Sequence, residues 1–302
     1  MKYFSRLYVS LMIIVFTFSG CEDTFETTLE INPPEHTDRL VVHAYGSTNG
    51  EDLKVHLTQS SGLLESLQNN LISKATVTLW KDQVQLAELE EVSFGSNYQF
   101  NYILPEGTIV YEKGATYRLE VEADGFEKAI GTATVPRDIP LLKQKFEEDG
   151  TSLESGDFNS EVEIEFQDPA NEENFYEVGV TIYIENNSNP YFNEIYTETY
   201  DPAAQQGISY SNLIVNDLSF DGNIKNFPLV IRKFKKEEED VDNMFVLWRV
   251  TSEDHYLFNK SARKHYDQDG NPFASPVQVF SNIENGIGIF SIMNEEYVKV
   301  SL

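Results

Sequence analysis

Hydrophobic and polar residues alternate along most of the chain between residues 38 and 137. The hydrophobic positions recur every second residue, as in Leu40, Val42 and Ala44, in Leu53, Val55 and Leu57, in Ala75, Val77 and Leu79, in Tyr117, Leu119 and Val121, and in Ala129, Gly131 and Ala133. Turn-forming pairs such as Asn49-Gly50 and Asp124-Gly125 separate these runs. A period of two is that of a strand with one buried face. This region therefore predicts a β-sandwich of immunoglobulin-like type, although no cysteine pair marks one.

The second half of the chain is also rich in predicted strands. Residues 162–166 and 176–184 alternate in the same way, and residues 227–234 and 245–250 resemble further strands. One helix is expected over residues 253–266, because Thr251 and Ser252 offer a hydroxyl N-cap and acidic residues follow in the first turn. We therefore predict a mainly β protein with two β-sandwich domains and one short helix in the C-terminal domain.

Four segments are expected along the chain. Residues 1–20 are read as a lipoprotein signal peptide and residues 21–37, which include Pro33 and Pro34, as a tether. The N-terminal domain is placed at residues 38–137 and the C-terminal β-rich domain at residues 138–302. The boundary is set by Pro136 and Pro140, which follow a run of predicted strands.

Cys21 is the only cysteine of the chain and follows a sequence typical of secretory signals. Lys2 and Arg6 precede an apolar run over residues 7–18, which is shorter than the ~20 residues that a membrane-spanning helix needs. We expect cleavage before Cys21 and attachment of acyl chains such as palmitate to it. The alternative is an ordinary secretory signal that leaves a free thiol, which would be a poor choice in an oxidising compartment.

The acidic composition excludes one class of partner. The 302 residues carry a formal net charge of -28, and the basic group that begins at Arg232 runs directly into four acidic residues at 237–240. Binding to nucleic acid requires clustered lysines and arginines that face phosphates. We therefore expect no nucleic-acid partner.

Candidate catalytic and metal-binding groups are sparse. His255 and His265 lie ten residues apart on the predicted helix, too far to share an ion, and are expected at the surface. His43 and His56 are expected to lie opposite each other as outward-facing polar residues. Asp267 to Asn271 is favoured as a helix-ending turn over a calcium loop. With 50 acidic residues, composition cannot select a catalytic pair, and we expect no enzyme activity, metal or cofactor.

Exposed aromatic residues offer a candidate interface. Tyr191, Phe192 and Tyr196 lie in and around a predicted loop rich in Asn and Pro. Tyrosines on loops are good anchors for sugars or protein surfaces. Core filling is the competing explanation for such residues.

Three motifs suggest a family. The segments at residues 168–176 (DPANEENFY), 272–277 (PFASPV) and 281–290 (SNIENGIGIF), together with Cys21, resemble a Bacteroidota outer-membrane lipoprotein family, domain of unknown function 4249. Glu22, Asp23 and Glu26 are also similar to the acidic export signal of Bacteroidota surface lipoproteins. The resemblance implies a lipid-anchored outer-membrane protein that faces the cell exterior, and it carries no catalytic residues.

These observations favour a surface-exposed binding or accessory subunit. Because the family is commonly encoded near TonB-dependent receptors, the resemblance implies a TonB-dependent receptor as partner in nutrient uptake. An envelope-assembly or adhesion protein is the alternative, and a glycan hydrolase is a third hypothesis. Asn285, Gly286 and Gly288 of the last motif are interpreted as structural, since they suit a tight turn that needs positive φ or a close backbone approach.

Overall fold

The computed structural model describes residues 36–300 except 51–52, 63–69, 94–99, 151–158, 185–190, 235–242, 270 and 272. The predicted signal peptide, the lipidation site Cys21 and nearly all of the tether therefore lie outside the described residues. All described residues other than His36 and Gly62 belong to one compact unit. No helix among them is both long and hydrophobic enough to traverse a lipid bilayer.

The described residues form mostly strands, which confirms the mainly β prediction. Numbered along the chain, the strands are β1 Leu40–Ser47, β2 Leu53–Gln59, β3 Thr76–Lys81, β4 Val84–Glu88, β5 Glu90–Glu91, β6 Tyr102–Leu104, β7 Thr116–Glu122, β8 Ala129–Thr134, β9 Leu141–Glu147, β10 Ser160–Gln167, β11 Phe175–Ile184, β12 Tyr191–Ile195, β13 Thr197–Glu198, β14 Ala204–Gln206, β15 Asn212–Asn216, β16 Ile224–Ile231, β17 Met244–Thr251, β18 Ile283–Glu284 and β19 Gly286–Lys299. The helix α1 spans Glu253–Gln268.

Three sheets are present in the described part of the chain. The largest has ten strands in the order β14-β15-β11-β17-β19-β1-β2-β6-β5, and β12 pairs with β11 as well. A five-stranded sheet has the order β18-β8-β7-β3-β4, and a four-stranded sheet has the order β13-β16-β10-β9. Strand β19 is parallel to β1 from Gly286 to Met293 and then antiparallel to β17 from Asn294 to Lys299. One strand therefore joins the N-terminal and C-terminal parts of the largest sheet.

The buried hydrophobic residues form two clusters, as expected of sheets packed face to face. The first contains the predicted alternating residues of β1, β2, β3, β7 and β8, together with Ile283, Phe290 and Ile292. The second lies wholly in residues 139–300 and includes Phe166, Tyr176 and Trp248. The sandwich-type packing agrees with the predicted fold, whereas the division into two domains at residue 137 and the immunoglobulin-like strand order remain predictions.

The motif at residues 281–290 allows β19 to pack closely against β1. Asn285 has a φ of 57° and Gly288 a φ of 122°, both in the region of positive φ that the sequence predicted. A Cβ atom at Gly288 would lie 2.0 Å from the carbonyl oxygen of Val42. The glycine is therefore required for the close approach of the two backbones, and the structural interpretation of this motif is confirmed.

Helix α1 begins where the sequence predicted and extends two residues further. The hydroxyl of Ser252 accepts a hydrogen bond from the backbone N–H of His255 at 3.3 Å, and Glu253 and Asp254 occupy the first turn. The residues of the helix that become buried are His255, Tyr256, Phe258 and Asn259, and α1 contacts β11, β14, β15 and β19. Because His255 lies on the packed face, the prediction that it lies at the surface is wrong, whereas His265 is exposed as expected.

Candidate functional site

A cleft of about 350 Å³ opens between the ten-stranded sheet and the first half of α1. Strands from both parts of the chain contribute to it, because β19 brings β1 and β17 into one sheet. The lining residues are Tyr45, Gly46, Ser47, Lys54, Glu177, Ile208, Ser209, Asn212, Arg249, His255, Asn259, Met293 and Glu295. The cleft is therefore polar along its floor, with Ile208 and Met293 as apolar contacts.

The floor carries a row of three charged residues from three neighbouring strands. Strand register places Glu177 of β11 opposite Arg249 of β17, and Arg249 opposite Glu295 of β19. Arg249 Nη1 donates to Glu177 Oε1 at 2.5 Å, and its Nε donates to Glu295 Oε2. Both carboxylates are buried. One guanidinium thus bridges two carboxylates with one charge-assisted hydrogen bond to each.

Other side chains complete the hydrogen bonds of the two carboxylates. Glu177 is 2.6 Å from His255 Nε2 and accepts a bond of 2.8 Å from the side-chain amide of Asn212. Glu295 accepts bonds from the hydroxyl of Ser47 at 3.4 Å and the side-chain amide of Asn49 at 2.5 Å. Buried charges persist only when they are paired and hydrogen-bonded in this way.

The electrostatics of the row favour the charged forms. Burial by itself would raise the pKa of Glu177, but the charge of Arg249 and the hydrogen bond from His255 lower that pKa to about 2. Burial opposes the charge of Arg249, yet Glu177 and Glu295 raise its pKa. Burial, followed by the charge of Glu177, raises the pKa of Tyr45 beside the row. Glu177 and Arg249 therefore form a permanent ion pair near neutral pH.

A serine, a histidine and a carboxylate are aligned beside the cleft. Ser291 Oγ lies 3.1 Å from His255 Nδ1, and the other ring nitrogen of His255 faces Glu177. Serine, histidine and a carboxylate are the three residue types of a nucleophilic triad. Ser291, however, is 0% exposed within β19 and does not line the cleft. The hydroxyl of Ser291 therefore has no access to a substrate. The contacts of His255 with Ser291 and Glu177 instead position His255 and α1 on the sheet.

The two histidines of the first hairpin lie opposite each other, as predicted. His43 and His56 are paired in the β1–β2 register with ring centroids 6.5 Å apart. The ring of His43 also packs against Phe258 of α1 at 5.5 Å. Burial, and then the neighbouring His56, lower the pKa of His43. The prediction that both histidines face outward is therefore wrong for His43, because its ring packs beneath the helix.

Three carboxylates from the segments that follow β10 and β15 lie close together. Asp168, Asp217 and Asp221 each have one oxygen within 4.8 Å of the others. Asp168 accepts hydrogen bonds from the hydroxyl of Tyr176 and the backbone N–H of Gly222, and Asp217 accepts from the backbone N–H of Asn174 at 2.7 Å. These bonds connect the loop after β10 to the loop after β15. The residue 168–176 motif therefore has a structural explanation.

The predicted interface residues lie on β12 and just after it. Tyr191, Phe192 and Tyr196 are 48%, 37% and 52% exposed. Phe192 stacks on Tyr297 at a centroid distance of 4.1 Å, so part of its ring is committed to the fold. The exposure is compatible with an interface, and that role remains a prediction.

The sequence analysis missed the charged row. Glu177 follows Tyr176 in a predicted strand and Arg249 lies in another, but no local signal relates them. A buried position within an alternating strand is the one sign that could have selected Glu177, Arg249 and Glu295. That sign requires knowing which face of each strand is covered.

A comparison with known protein families identifies the chain. The family described as "Domain of unknown function (DUF4249)" matches residues 26–297, and the chain belongs to this family. The match spans the first hydrophobic cluster, all of the second except Val300, α1 and every residue of the charged row. No curated protein matches the chain.

Proposed function

We propose that this protein is a non-catalytic binding subunit, anchored to the outer membrane by acyl chains on Cys21, that presents its cleft to a ligand at the cell exterior and assists a TonB-dependent transporter. The observation that carries the binding role is the cleft with the Glu177–Arg249–Glu295 row at its floor. A concave site with a few fixed polar groups is the usual form of a small-ligand site. The anchor and the transporter partner rest on the sequence features around Cys21 and on the family resemblance.

The arrangement of the floor supports binding over chemistry. Arg249 pairs with both Glu177 and Glu295, and the lowered pKa of Glu177 is the opposite of the raised pKa that a glycosidase needs in its acid. Ser291 is inaccessible. Ser209 is exposed at the cleft and can donate and accept hydrogen bonds, while Ser47 and Asn259 line the cleft with side chains that are hydrogen-bonded within the protein. A polar nutrient that carries hydroxyl or amide groups suits such a lining.

Exposed tyrosines favour a second candidate function. Tyr191, Tyr196, Tyr200 and Tyr210 are all exposed, and tyrosine is enriched at protein interfaces. An envelope-assembly or adhesion protein would use such a surface to bind protein alone.

Purification from native outer membranes tests these alternatives. Cells are crosslinked, the protein is purified in mild detergent, and its partners are identified by mass spectrometry. A stoichiometric TonB-dependent barrel supports the proposed function, and recovery with assembly machinery or matrix proteins supports the alternative. A glycan turnover that Glu177→Gln abolishes would instead establish an enzyme.

A further inference from the structure

A second cavity lies beside the other half of α1. It has a volume of about 350 Å³ and separates the helix from strand β14. Its lining residues are Gln205, Gln206, Lys260, Arg263, Lys264, Asp267 and Gln268. The backbone N–H of Ile208 faces Asn259 Oδ1 at 3.5 Å between this cavity and the cleft described above. The two cavities are therefore neighbouring but distinct sites along one helix.

The second cavity is cationic in a strongly acidic protein. Lys260, Arg263 and Lys264 occupy positions i, i+3 and i+4 of α1 and so share one face of the helix. Arg263 pairs with Asp267, but neither lysine has a carboxylate partner among the described residues. Salt screens the remaining negative charge of the protein beyond ~8 Å at physiological ionic strength. Among the charged lining residues Asp267 offsets Arg263, so an anion in this cavity responds chiefly to Lys260 and Lys264.

Arg263 and Gln268 of the same cavity each carry a polar atom that is shielded from solvent and has no hydrogen-bond partner among the described residues, Arg263 Nη1 and Gln268 Oε1. A ligand does not reach shielded atoms, so recognition in this cavity depends on its exposed groups, which include the side chains of Lys260 and Lys264. The cavity is thus suited to a ligand that carries a negative charge.

Tyrosine rings continue from the cavity to the open surface. The Arg263 guanidinium lies 4.1 Å from the centroid of the Tyr210 ring, and the Tyr196 ring is 6.2 Å from that of Tyr210. Both tyrosines are exposed. A tyrosine presents a flat apolar face and a polar tip, which suits the faces and hydroxyls of a sugar ring.

We propose that this cavity binds one acidic unit of a saccharide, with its carboxylate or sulfate between Lys260 and Lys264, while an adjoining sugar ring lies over Tyr210 and Tyr196. Carboxylate and sulfate offer the same charge-assisted acceptor oxygens to lysine. The site is independent of the cleft, of the lipid anchor and of the transporter, so its failure leaves the proposed function standing.

Isothermal titration calorimetry on the purified full chain tests this proposal. The probes are a galacturonic acid tetramer, a sulfated galactose tetramer, the neutral galactose tetramer and inorganic sulfate. At least one acidic tetramer should bind, and the neutral tetramer should bind ~10-fold more weakly or worse, since charge-assisted hydrogen bonds are about twice as strong as neutral ones. The acidic tetramer that binds more tightly shows whether the cavity prefers a carboxylate or a sulfate.

Variants connect the binding to the named residues. Lys260→Gln with Lys264→Gln should weaken binding of the acidic tetramer by ~10-fold or more. The matched control, Lys143→Gln with Lys145→Gln on β9, makes the same charge change at exposed lysines and should leave affinity within ~2-fold. Tyr210→Ala should weaken tetramer binding without affecting inorganic sulfate. Circular dichroism and thermal melts establish that each variant is folded.

Three results would overturn the proposal. The first is equal binding of the neutral and acidic tetramers, which would show that the lysines are not used. The second is inorganic sulfate binding as tightly as the acidic tetramers, which would reduce the cavity to a simple anion site. The third is the absence of binding of either acidic tetramer to the unmodified protein.

Discussion

Arg249 lies directly opposite Glu177 on adjacent antiparallel strands, and its Nη1 contacts the Glu177 carboxylate at 2.5 Å in a nearly solvent-free position. The two residues are 72 positions apart in sequence. Their pairing sets the floor of the cleft and, through His255, the position of α1. Stability and the architecture of the candidate site therefore depend on the same contact.

Removal of Glu177 should destabilise the protein strongly. Glu177→Ala leaves Arg249 with Glu295 alone and deprives His255 and Asn212 of a partner. Breaking one partner of a buried ion pair typically lowers the free energy of unfolding by about 3–5 kcal/mol. Urea unfolding measures the change. The control is Glu163→Ala, which removes an exposed pair with Lys143 and should change stability by less than about 1 kcal/mol. Equal losses in the two variants would contradict a special role for the row.

Stability should fall as the solution becomes acidic. Interaction with Arg249 and His255 lowers the pKa of Glu177 from 4.5 to about 2. A carboxyl with a lowered pKa contributes its stabilisation fully above its unfolded pKa and loses it as pH decreases through its folded pKa. This one group should thus contribute roughly 3 kcal/mol that disappears between pH 4.5 and about 2.

Urea unfolding across this pH range, on the unmodified protein and on Glu177→Gln, measures that contribution. The glutamine variant should be less stable near neutral pH and show a shallower dependence on pH below 4.5. Parallel curves for the two proteins would contradict the assignment of the titration to Glu177.

Substitution of Gly288 should disrupt the pairing of β1 with β19. Gly288→Ala places a Cβ atom 2.0 Å from the Val42 carbonyl oxygen at a φ of 122°, so the strands must separate. We expect a loss of more than about 3 kcal/mol or failure to fold. Gly125→Ala is the matched control, since Gly125 also has positive φ but nothing lies within 4 Å of its added Cβ. That change should cost about 1–2 kcal/mol, and thermal melts that rank the two variants equally would contradict the close-approach argument.

Replacement of Cys21 should release the protein from membranes. Cys21→Ser removes the thiol to which an acyl chain would attach, and the acidic surface gives little attraction to anionic headgroups. Fractionation should move the protein from the membrane pellet to the soluble fraction, with loss of labelled palmitate. Retention of Cys21→Ser in the pellet after a salt wash would argue against acylation as the anchor.

The acidic residues after Cys21 should govern surface exposure. Changing Glu22 and Asp23 to Ala removes the segment that resembles an export signal, while Cys21 remains available for lipidation. Protease added to intact cells should then cleave less of the protein, whereas cleavage in lysed cells stays the same. Unchanged cleavage on intact cells would refute export through these residues.

Local patterns were sufficient to predict the strands and the helix. Alternation at Leu40, Val42 and Ala44 depends only on residues two positions apart, and the structure buries all three. Ser252 and its acidic successors mark the start of α1 in the same local way. Asn285 and Gly288 could be interpreted from the sequence because positive φ is a property of single residues.

The sequence by itself thus determined the mainly β class, the helix and the C-terminal turn, because each follows from neighbours along the chain. Only the tertiary structure decided which acids matter among 50, since strand register joined Glu177, Arg249 and Glu295. It also decided that His255 is buried, because the covered face of a helix depends on the sheet beneath it. Register between distant strands is set by the packing of the whole sheet, and no local pattern encodes it.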